Sequence, residues 1–442
     1  MDRRRFDKPT RRDALKALGA LAAISAVPAV APSRAAASQS RAKIVIAGAG
    51  AAGLTAASRL RSLMPNAQIV IVDARERHYF QPGFTLVGSG VWSAEQTIDS
   101  NARFMPRDVT WLKASVAEFD LDGNRIVTST GESVPYDFLM VATGLHLDYE
   151  RIEGMSAALI GQHGIASIYA GPEAAFASWQ AMQRFVETGG HGVFGRPATE
   201  MKCAGAPLKF ALLTEDRLTS AGGNARSRAK LTYFQHNQAL FAVPPVNVRV
   251  GEIFAERGID RHESHVMRAI DPGAKRITYQ TPDGTTEVDY DFVHLVPPMR
   301  APDAVMASAL PWQEGPLSAD GWIEVDRSTM QHLRYPNVYA IGDVAGVPRG
   351  KTAASVKWHT PVACENMVSV IEDRPQTAIF NGYTSCPLVT RVGQAMLIEF
   401  DYDGTLIPSF PFIDPLEESW VSWVIEERAL LATYNAMLRG LA

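Results

Sequence analysis

Short apolar runs recur along the chain, and they predict buried parallel strands. The clearest lie within residues 43–47, 68–73 and 137–144, and the apolar residues in each are consecutive rather than alternating. Such runs are typical of strands that are covered on both faces. Residues 54–60, between the first two runs, have a helical composition. The order strand, helix, strand predicts a βαβ unit and therefore an α/β fold.

The turn that follows the first strand reads Gly-Ala-Gly-Ala-Ala-Gly, and the second strand ends on an acid. In this context each glycine has a physical role. Gly48 permits the tight turn, Gly50 lets the backbone approach a pyrophosphate, and Gly53 lets the helix pack on the strand. The phosphates would sit at the helix N-terminus beside Ala51. Asp73 would accept hydrogen bonds from a ribose, so the pattern predicts a dinucleotide-binding domain.

Two later segments narrow the choice of dinucleotide. One strand ends in Ala142, Thr143 and Gly144, and another ends at Gly342 and Asp343. They resemble the second and third FAD contacts of the flavoprotein disulfide reductases that have two dinucleotide-binding domains. Together with the glycine turn, they favour FAD as the cofactor.

The middle of the chain, residues 156–284, is predicted to form a second Rossmann-like domain that carries no nucleotide fingerprint. NAD(P)H-dependent relatives have a glycine fingerprint in this domain, but residues 192–207 contain none. The next apolar strand, at residues 230–235, also ends without an acid. We therefore expect no NAD(P)H site and a different source of electrons.

Composition excludes some classes of protein and leaves others open. The formal net charge of −4 argues against a nucleic-acid partner. The first 37 residues combine paired arginines, Arg11 and Arg12, with an apolar run and small residues at 35–37. This pattern predicts a twin-arginine signal and a periplasmic protein, with a disordered basic arm as the alternative.

The chain has three cysteines, and their spacing offers no metal site. Cys203 precedes a predicted helix and follows Lys202, so its pKa should be lowered. Cys386 lies in a turn-rich segment that enters a strand. Cys364 lies inside the predicted helix 355–371 and is interpreted as a packed, inert residue. Inert packing of Cys203 and Cys386 is the alternative to a redox role.

The segments around the two outer cysteines carry a specific resemblance. Residues 202–207, Lys-Cys-Ala-Gly-Ala-Pro, and residues 382–390, Gly-Tyr-Thr-Ser-Cys-Pro-Leu-Val-Thr, resemble the cysteine motifs of the sulfide:quinone oxidoreductases. The branch is the one that includes the mitochondrial enzyme. The resemblance spans residues 43–440, with further agreement at residues 78–88, 147–150, 296–299, 350–354, 398–402 and 437–440.

This resemblance implies an enzyme that oxidises sulfide through a Cys203–Cys386 disulfide, with FAD as cofactor and a quinone as electron acceptor. FAD should be noncovalent, because no cysteine precedes Cys203. A small molecule would accept the sulfur. Gln81 is assigned to cofactor binding, and Lys351 to stabilising negative charge on the reduced flavin. The implied quinone residues are Tyr383, Phe410 and Phe412.

Two alternatives remain: a periplasmic sulfide dehydrogenase that reduces a c-type cytochrome, and a non-catalytic module that holds flavin. Mitochondrial-type relatives continue into a membrane-binding tail past the position of Ala442, so only peripheral membrane contact is expected. The predicted organisation is a signal at 1–37, an FAD-binding domain at 42–155 and 285–375, the second domain at 156–284 with Cys203, and a C-terminal region at 376–442 with Cys386.

Overall fold

The computed structural model describes residues 37–441. Residues 1–36, which hold nearly all of the predicted signal, and Ala442 lie outside the described residues. Between residues 37 and 441, no helix combines the length and the apolar character needed to cross a bilayer.

The first sheet has five parallel strands and contains the predicted βαβ unit. Its apolar runs are buried on both faces, as expected for parallel strands. The helix Ala51–Leu63 follows the glycine turn and packs on the long helix Ala353–Ile371. In spatial order, the strands are Val338–Ala340, Phe138–Val141, Lys43–Ala47, Gln68–Val72 and Val109–Leu112.

The second sheet also has five parallel strands and belongs to the inserted domain. One of its strands, Phe292–His294, lies beyond residue 284, where the sequence suggested that the domain ends. Its helices are Pro172–Thr188, Ala206–Ser220 and Pro244–Glu256. In spatial order, the strands are Ile165–Ala166, Phe292–His294, Gly190–Gly195, Ala229–Phe234 and Ile259–His262. Two parallel-sheet Rossmann-like domains confirm the predicted α/β class.

Each parallel sheet is accompanied by a three-stranded antiparallel sheet, and short two-stranded pairs connect the remainder. The first antiparallel sheet contains Val116–Asp120, Arg125–Thr128 and Ser133–Pro135, and the second contains Val266–Asp271, Arg276–Thr281 and Gly284–Asp289. The short pairs join Arg77–Tyr79 to Ile98–Ser100, His146–Leu147 to Met299–Arg300, and Ile323–Glu324 to Ala345–Gly346. The shorter α-helices are Phe84–Gly88, Asn101–Phe104 and Asp303–Met306.

The C-terminal region consists of a hairpin and a helical segment. The hairpin pairs Thr384–Arg391 with Gln394–Phe400. The helical segment runs through Trp420–Val424, a π-helical turn at Ile425–Ala429, and Leu430–Leu438. The first hairpin strand packs against the helix Ala206–Ser220 of the inserted domain. One continuous buried cluster includes residues of both sheets, this helix and the hairpin, so the C-terminal region is fixed against both domains.

Candidate active site

The glycine turn is shaped by close backbone contacts. Gly48 has a φ of +111°, and a Cβ there would lie 2.4 Å from the Ala142 carbonyl oxygen. A Cβ on Gly53 would lie 1.8 Å from the Gly48 carbonyl oxygen. Gly50 precedes the helix and has no side-chain cap, and only Arg75 comes within 4 Å of a Cβ placed there. The N-terminal N–H groups of this helix are therefore accessible to a phosphate.

Asp73 lies beside this turn, where the sequence predicted it. Its Oδ2 accepts a hydrogen bond from the Ala49 N–H at 2.7 Å, and its Oδ1 accepts one from the Arg75 N–H at 2.8 Å. The Arg75 guanidinium also pairs with Asp73 at 3.1 Å. Sequence reasoning missed Arg75, a cation close to the pyrophosphate position. Its only signal was a basic residue two positions after the acid that ends the second strand.

The two later segments meet the glycine turn at the carboxyl edge of the first sheet. The Thr143 hydroxyl is buried with no hydrogen-bond partner within the described residues. A Cβ on Gly144 would have no heavy atom within 4 Å. Gly342, with a φ of +74°, donates its N–H to His359 Nε2 at 2.9 Å and faces Ala52. An orphaned hydroxyl, open space and a tight glycine turn fit the binding of a dinucleotide such as FAD.

The side chain of Lys351 is held inside the protein beside Asp343. Its Nζ donates to the carbonyl oxygens of Asp343 at 2.7 Å and Ala345 at 3.0 Å, and it lies 3.6 Å from the centre of the Trp322 ring. Burial lowers the pKa of Lys351 to about 8, against the opposing charge of Asp343. A role for Lys351 toward reduced flavin stays a prediction. The Lys351 backbone carbonyl oxygen accepts a hydrogen bond from the Cys203 N–H at 3.0 Å, so the loop that carries Lys351 also positions Cys203.

Gln81 lies at the start of a short 3-10 turn, Gln81–Gly83. Its side-chain oxygen accepts a hydrogen bond from Lys202 Nζ at 2.6 Å. The cofactor-domain residue Gln81 is thereby tied to the residue next to Cys203. A direct contact between Gln81 and the cofactor stays a prediction.

Cys203 and Cys386 are 183 residues apart in sequence, but the fold brings their thiols into hydrogen-bond contact. Cys203 has a φ of +48° in the loop before the helix Ala206–Ser220, and its carbonyl accepts the Ala206 N–H at 2.9 Å. Cys386 is buried in the first hairpin strand. A Cβ on Gly205 would lie 2.3 Å from the Cys386 sulfur, so glycine is required for the two segments to approach.

The two thiols differ in acidity. The hydrogen bond from Cys386 lowers the pKa of Cys203 to about 6, and the positive charges of Lys209 and Lys202 add to the effect against burial. The same contact, together with burial, raises the pKa of Cys386 well above its ordinary range. The pair therefore consists of a thiolate at Cys203 and a protonated thiol at Cys386 near neutral pH.

We predict that iodoacetamide alkylates Cys203 selectively when both thiols are reduced. The thiolate is the nucleophile, so the rate should rise with pH through about 6 rather than near the ordinary thiol value of 9.0. Cys364 should stay unlabelled, because it is fully buried and burial raises its pKa to about 12. Peptide mass spectrometry over a pH series measures this order. Faster labelling of Cys386 than of Cys203 would contradict the assignment.

Two buried charges, missed by the sequence reasoning, lie beside the thiols. Lys209 belongs to the first turn of the helix Ala206–Ser220 and is 3% exposed. Its Nζ lies 3.9 Å from Oε1 of Glu426, which is 4% exposed in the π-helical turn. The available signal was Lys209 itself, a lone lysine in the apolar first half of its helix, residues 206–213.

The predicted quinone residues lie in the C-terminal region around Glu399. The Tyr383 hydroxyl donates to Glu399 and its ring lies 5.1 Å from that of Trp358. Ser409, next to Phe410, donates its hydroxyl to the same carboxylate at 2.6 Å. Phe410 is buried, whereas Phe412 is 45% exposed and its ring lies 5.8 Å from that of Phe410. The structure thus brings Tyr383 and Ser409, the neighbour of Phe410, to one carboxylate that sequence reasoning did not single out.

The inserted domain lacks the glycine turn at the carboxyl edge of its sheet. The strand Gly190–Gly195 continues into Arg196 and Pro197 rather than into a glycine-rich helix start. Residues 37–441 also contain no group of three or more His, Cys, Asp or Glu side chains arranged to hold a metal ion.

Comparison with known proteins identifies the class. The family model for pyridine nucleotide-disulphide oxidoreductases matches residues 42–359. The mitochondrial sulfide:quinone oxidoreductase of Dictyostelium discoideum is 34% identical over 405 residues, covering 90% of this chain and 86% of that protein. The mitochondrial sulfide:quinone oxidoreductase of Mus musculus is 32% identical with the same coverage.

A solved structure supports the same fold. The sulfide:quinone oxidoreductase of Aquifex aeolicus superposes with a TM-score of 0.75 at 23% identity, covering 91% of this chain and 92% of that chain. The chain therefore belongs to the pyridine nucleotide-disulphide oxidoreductase family and is an oxidoreductase. Homologues that are 31–34% identical over most of the chain are sulfide:quinone oxidoreductases.

Proposed function

We propose that this protein oxidises sulfide to sulfane sulfur through a Cys203–Cys386 disulfide and delivers the electrons to a quinone. The observation that carries the proposal is the contact between the two thiols, next to the loop whose Lys351 reaches Asp343. The homologues named sulfide:quinone oxidoreductase support the same substrates. The glycine turn and the segments at Thr143 and Gly342 would hold FAD noncovalently. When bound, FAD would supply the two-electron redox chemistry between the cysteine pair and the quinone.

The cysteine chemistry follows from the two different acidities. In the oxidised pair a bond joins the sulfurs of Cys203 and Cys386. Hydrosulfide attacks the Cys386 sulfur, forming a persulfide there and breaking the bond to Cys203. Cys203 leaves with the electron pair of the broken bond as a thiolate, which the positive charge of Lys209 stabilises. A lower-pKa leaving thiol leaves faster, which favours Cys203 in this role. A small-molecule acceptor then removes the outer persulfide sulfur.

The quinone would bind in the C-terminal region near Tyr383, Phe410 and Phe412. Exposed aromatic surface at Phe412 and Trp358 supports this placement, since amphipathic and aromatic residues suit a quinone ring and a membrane surface. The carboxylate of Glu399 accepts a hydrogen bond from the Tyr383 hydroxyl, and the two groups offer a proton relay to a quinone oxygen. Contact with the membrane would then be peripheral.

We expect sulfide-dependent reduction of a soluble short-chain quinone by the purified holoprotein. Cytochrome c should not be reduced when quinone is left out. Both acceptors are to be measured in the same anaerobic steady-state assay. Direct and comparable reduction of cytochrome c would favour the sulfide dehydrogenase alternative. If neither the quinone nor cytochrome c is reduced, the result would favour a non-catalytic flavin-holding module.

The site of action is proposed to be the periplasm, because residues 1–37 carry the twin-arginine pattern. Expression in a bacterium with an active twin-arginine route should yield processed protein in the periplasmic fraction. Replacing Arg11 and Arg12 together by lysine should retain the precursor in the cytoplasm, and unchanged export would refute this route.

A further inference from the structure

Glu426 is an unusual carboxylate, because one of its oxygens has no hydrogen-bond partner. The residue is 4% exposed, and its Oε1 faces Lys209 Nζ at 3.9 Å. Its Oε2 is buried without a partner within residues 37–441. An ionised carboxylate in such a position is costly unless a cation compensates it. The charge of Glu426 therefore depends on how fully Lys209 is available to it.

Lys209 also interacts with the cysteine pair. The positive charge of Lys209 acts on Cys203, Cys386 and Glu426. These groups come from four elements that pack together: the loop before the helix Ala206–Ser220, the helix itself, the first hairpin strand and the π-helical turn. The buried ammonium of Lys209 thus interacts both with the two cysteine sulfurs and with the Glu426 carboxylate.

The other titratable groups around this cluster already have partners or stay neutral. Lys202 donates to Gln81, and its charge faces that of Asp343. The Tyr169 hydroxyl donates to the Cys203 carbonyl, and burial raises its pKa well above the ordinary range. Glu427, the neighbour of Glu426, pairs with Arg428 and accepts the Trp92 N–H. Lys209 is therefore the cation that both Cys203 and Glu426 depend on.

The charge in this cluster changes when the disulfide opens. In the disulfide state the sulfurs are neutral, and ionised Glu426 balances Lys209. In the open state the Cys203 thiolate is a second negative charge against the same ammonium. We propose that Glu426 binds a proton each time the Cys203–Cys386 bond opens and releases it when the bond closes. This inference rests on the redox role proposed above for the two cysteines.

The opening step balances with one proton from solvent. The disulfide, hydrosulfide, the Glu426 carboxylate and a proton give the Cys386 persulfide, the Cys203 thiolate and the Glu426 carboxylic acid. The bond between the two cysteine sulfurs breaks, a bond between hydrosulfide and Cys386 forms, and the total charge is unchanged. Burial together with the negative charge of Cys203 raises the pKa of Glu426 to about 7, above the value of about 6 for Cys203. In the open state Cys203 therefore ionises before Glu426.

The test is the pH dependence of the reduction potential of the cysteine pair in the FAD-loaded full chain. The protein is equilibrated with dithiothreitol redox mixtures, and its free thiols are alkylated and counted by mass spectrometry. Each proton taken up with the two electrons changes the equilibrium constant tenfold per pH unit, which is ~30 mV. Between pH 6 and 7, the wild type should show a slope of ~60 mV per pH unit, one proton for Cys386 and one for Glu426.

Glu426→Gln should halve this slope, because the amide cannot take the second proton. Glu426→Leu, which fills the same space without a polar atom, should do the same if the glutamine variant folds poorly. Glu427→Gln, in the same turn, is the matched control and should keep the wild-type slope. A wild-type slope in a folded Glu426→Gln protein overturns the proton uptake while leaving a working disulfide. Absence of any two-electron cysteine couple overturns the proposed function, and this inference with it.

Discussion

Cys203→Ser and Cys386→Ser should each lower sulfide-driven turnover by roughly 10³-fold or more, while both proteins fold and retain FAD. Neither residue belongs to the dinucleotide contacts, so cofactor loading should be unchanged. A single remaining thiol gives hydrosulfide no disulfide to attack, and the electron pair cannot enter the protein. The two sulfurs act as one unit, so the double variant should be no worse than either single variant.

Cys364→Ser is the control for these variants. Its sulfur is buried in the helix Ala353–Ile371 and lies 4.0 Å from the Ala56 carbonyl oxygen. It lies apart from the other two cysteines, so turnover should stay close to that of the wild type. Steady-state assays on the wild type, the three single variants and the double variant measure the effect. Full activity in either Cys203→Ser or Cys386→Ser would refute the disulfide mechanism.

Gly53→Val should have the second large effect, a loss of both FAD and folding stability. A Cβ at this position would lie 1.8 Å from the Gly48 carbonyl oxygen, a contact that cannot be relieved without moving the glycine turn. The helix Ala51–Leu63 would shift away from the first strand and its N-terminus would no longer face the phosphates. The free energy of unfolding should fall by about 4 kcal/mol or more.

A second helical glycine provides the matched control for Gly53. Gly251 lies inside the helix Pro244–Glu256, and a Cβ there would have only Arg261 within 4 Å, at 3.9 Å. Gly251→Ala should therefore leave FAD content unchanged and raise stability by about 0.5–1 kcal/mol. Flavin absorbance per protein and thermal unfolding measure both variants. A Gly53→Val protein that keeps its flavin and its melting temperature would contradict the assignment of the turn.

The first dinucleotide domain could be predicted closely because its signals are local. A continuous apolar run, a glycine turn and a terminal acid each restrict the backbone within a few residues. The strand expected at residues 43–47 is observed at Lys43–Ala47, and the helix expected at 355–371 is observed at Ala353–Ile371. The short strand Phe292–His294 joins the second sheet by pairing with Gly190–Gly195, about 100 residues earlier in the chain. No local sequence pattern indicates this pairing.

The electrostatic part of the site could not be predicted from periodicity. No apolar or polar periodicity in the C-terminal segment indicates that Glu426 is buried. A π-helical turn at Ile425–Ala429 changes the register of the helix, and Glu426 then points toward Lys209. The contact between Cys203 and Cys386 likewise depends on the packing of the hairpin on the inserted domain. Their pairing came only from the family resemblance, since their spacing carries no geometric information.

We expect sulfide, rather than NAD(P)H, to supply electrons to this flavoprotein through the cysteine pair. Anaerobic stopped-flow recording of flavin absorbance tests it most directly, with the oxidised holoprotein mixed in turn with sulfide and with NADH. We predict rapid bleaching by sulfide and none at a useful rate by NADH, because the inserted domain continues from its strand into Arg196 and Pro197 without a glycine turn. Rapid bleaching by NADH with no response to sulfide would contradict it.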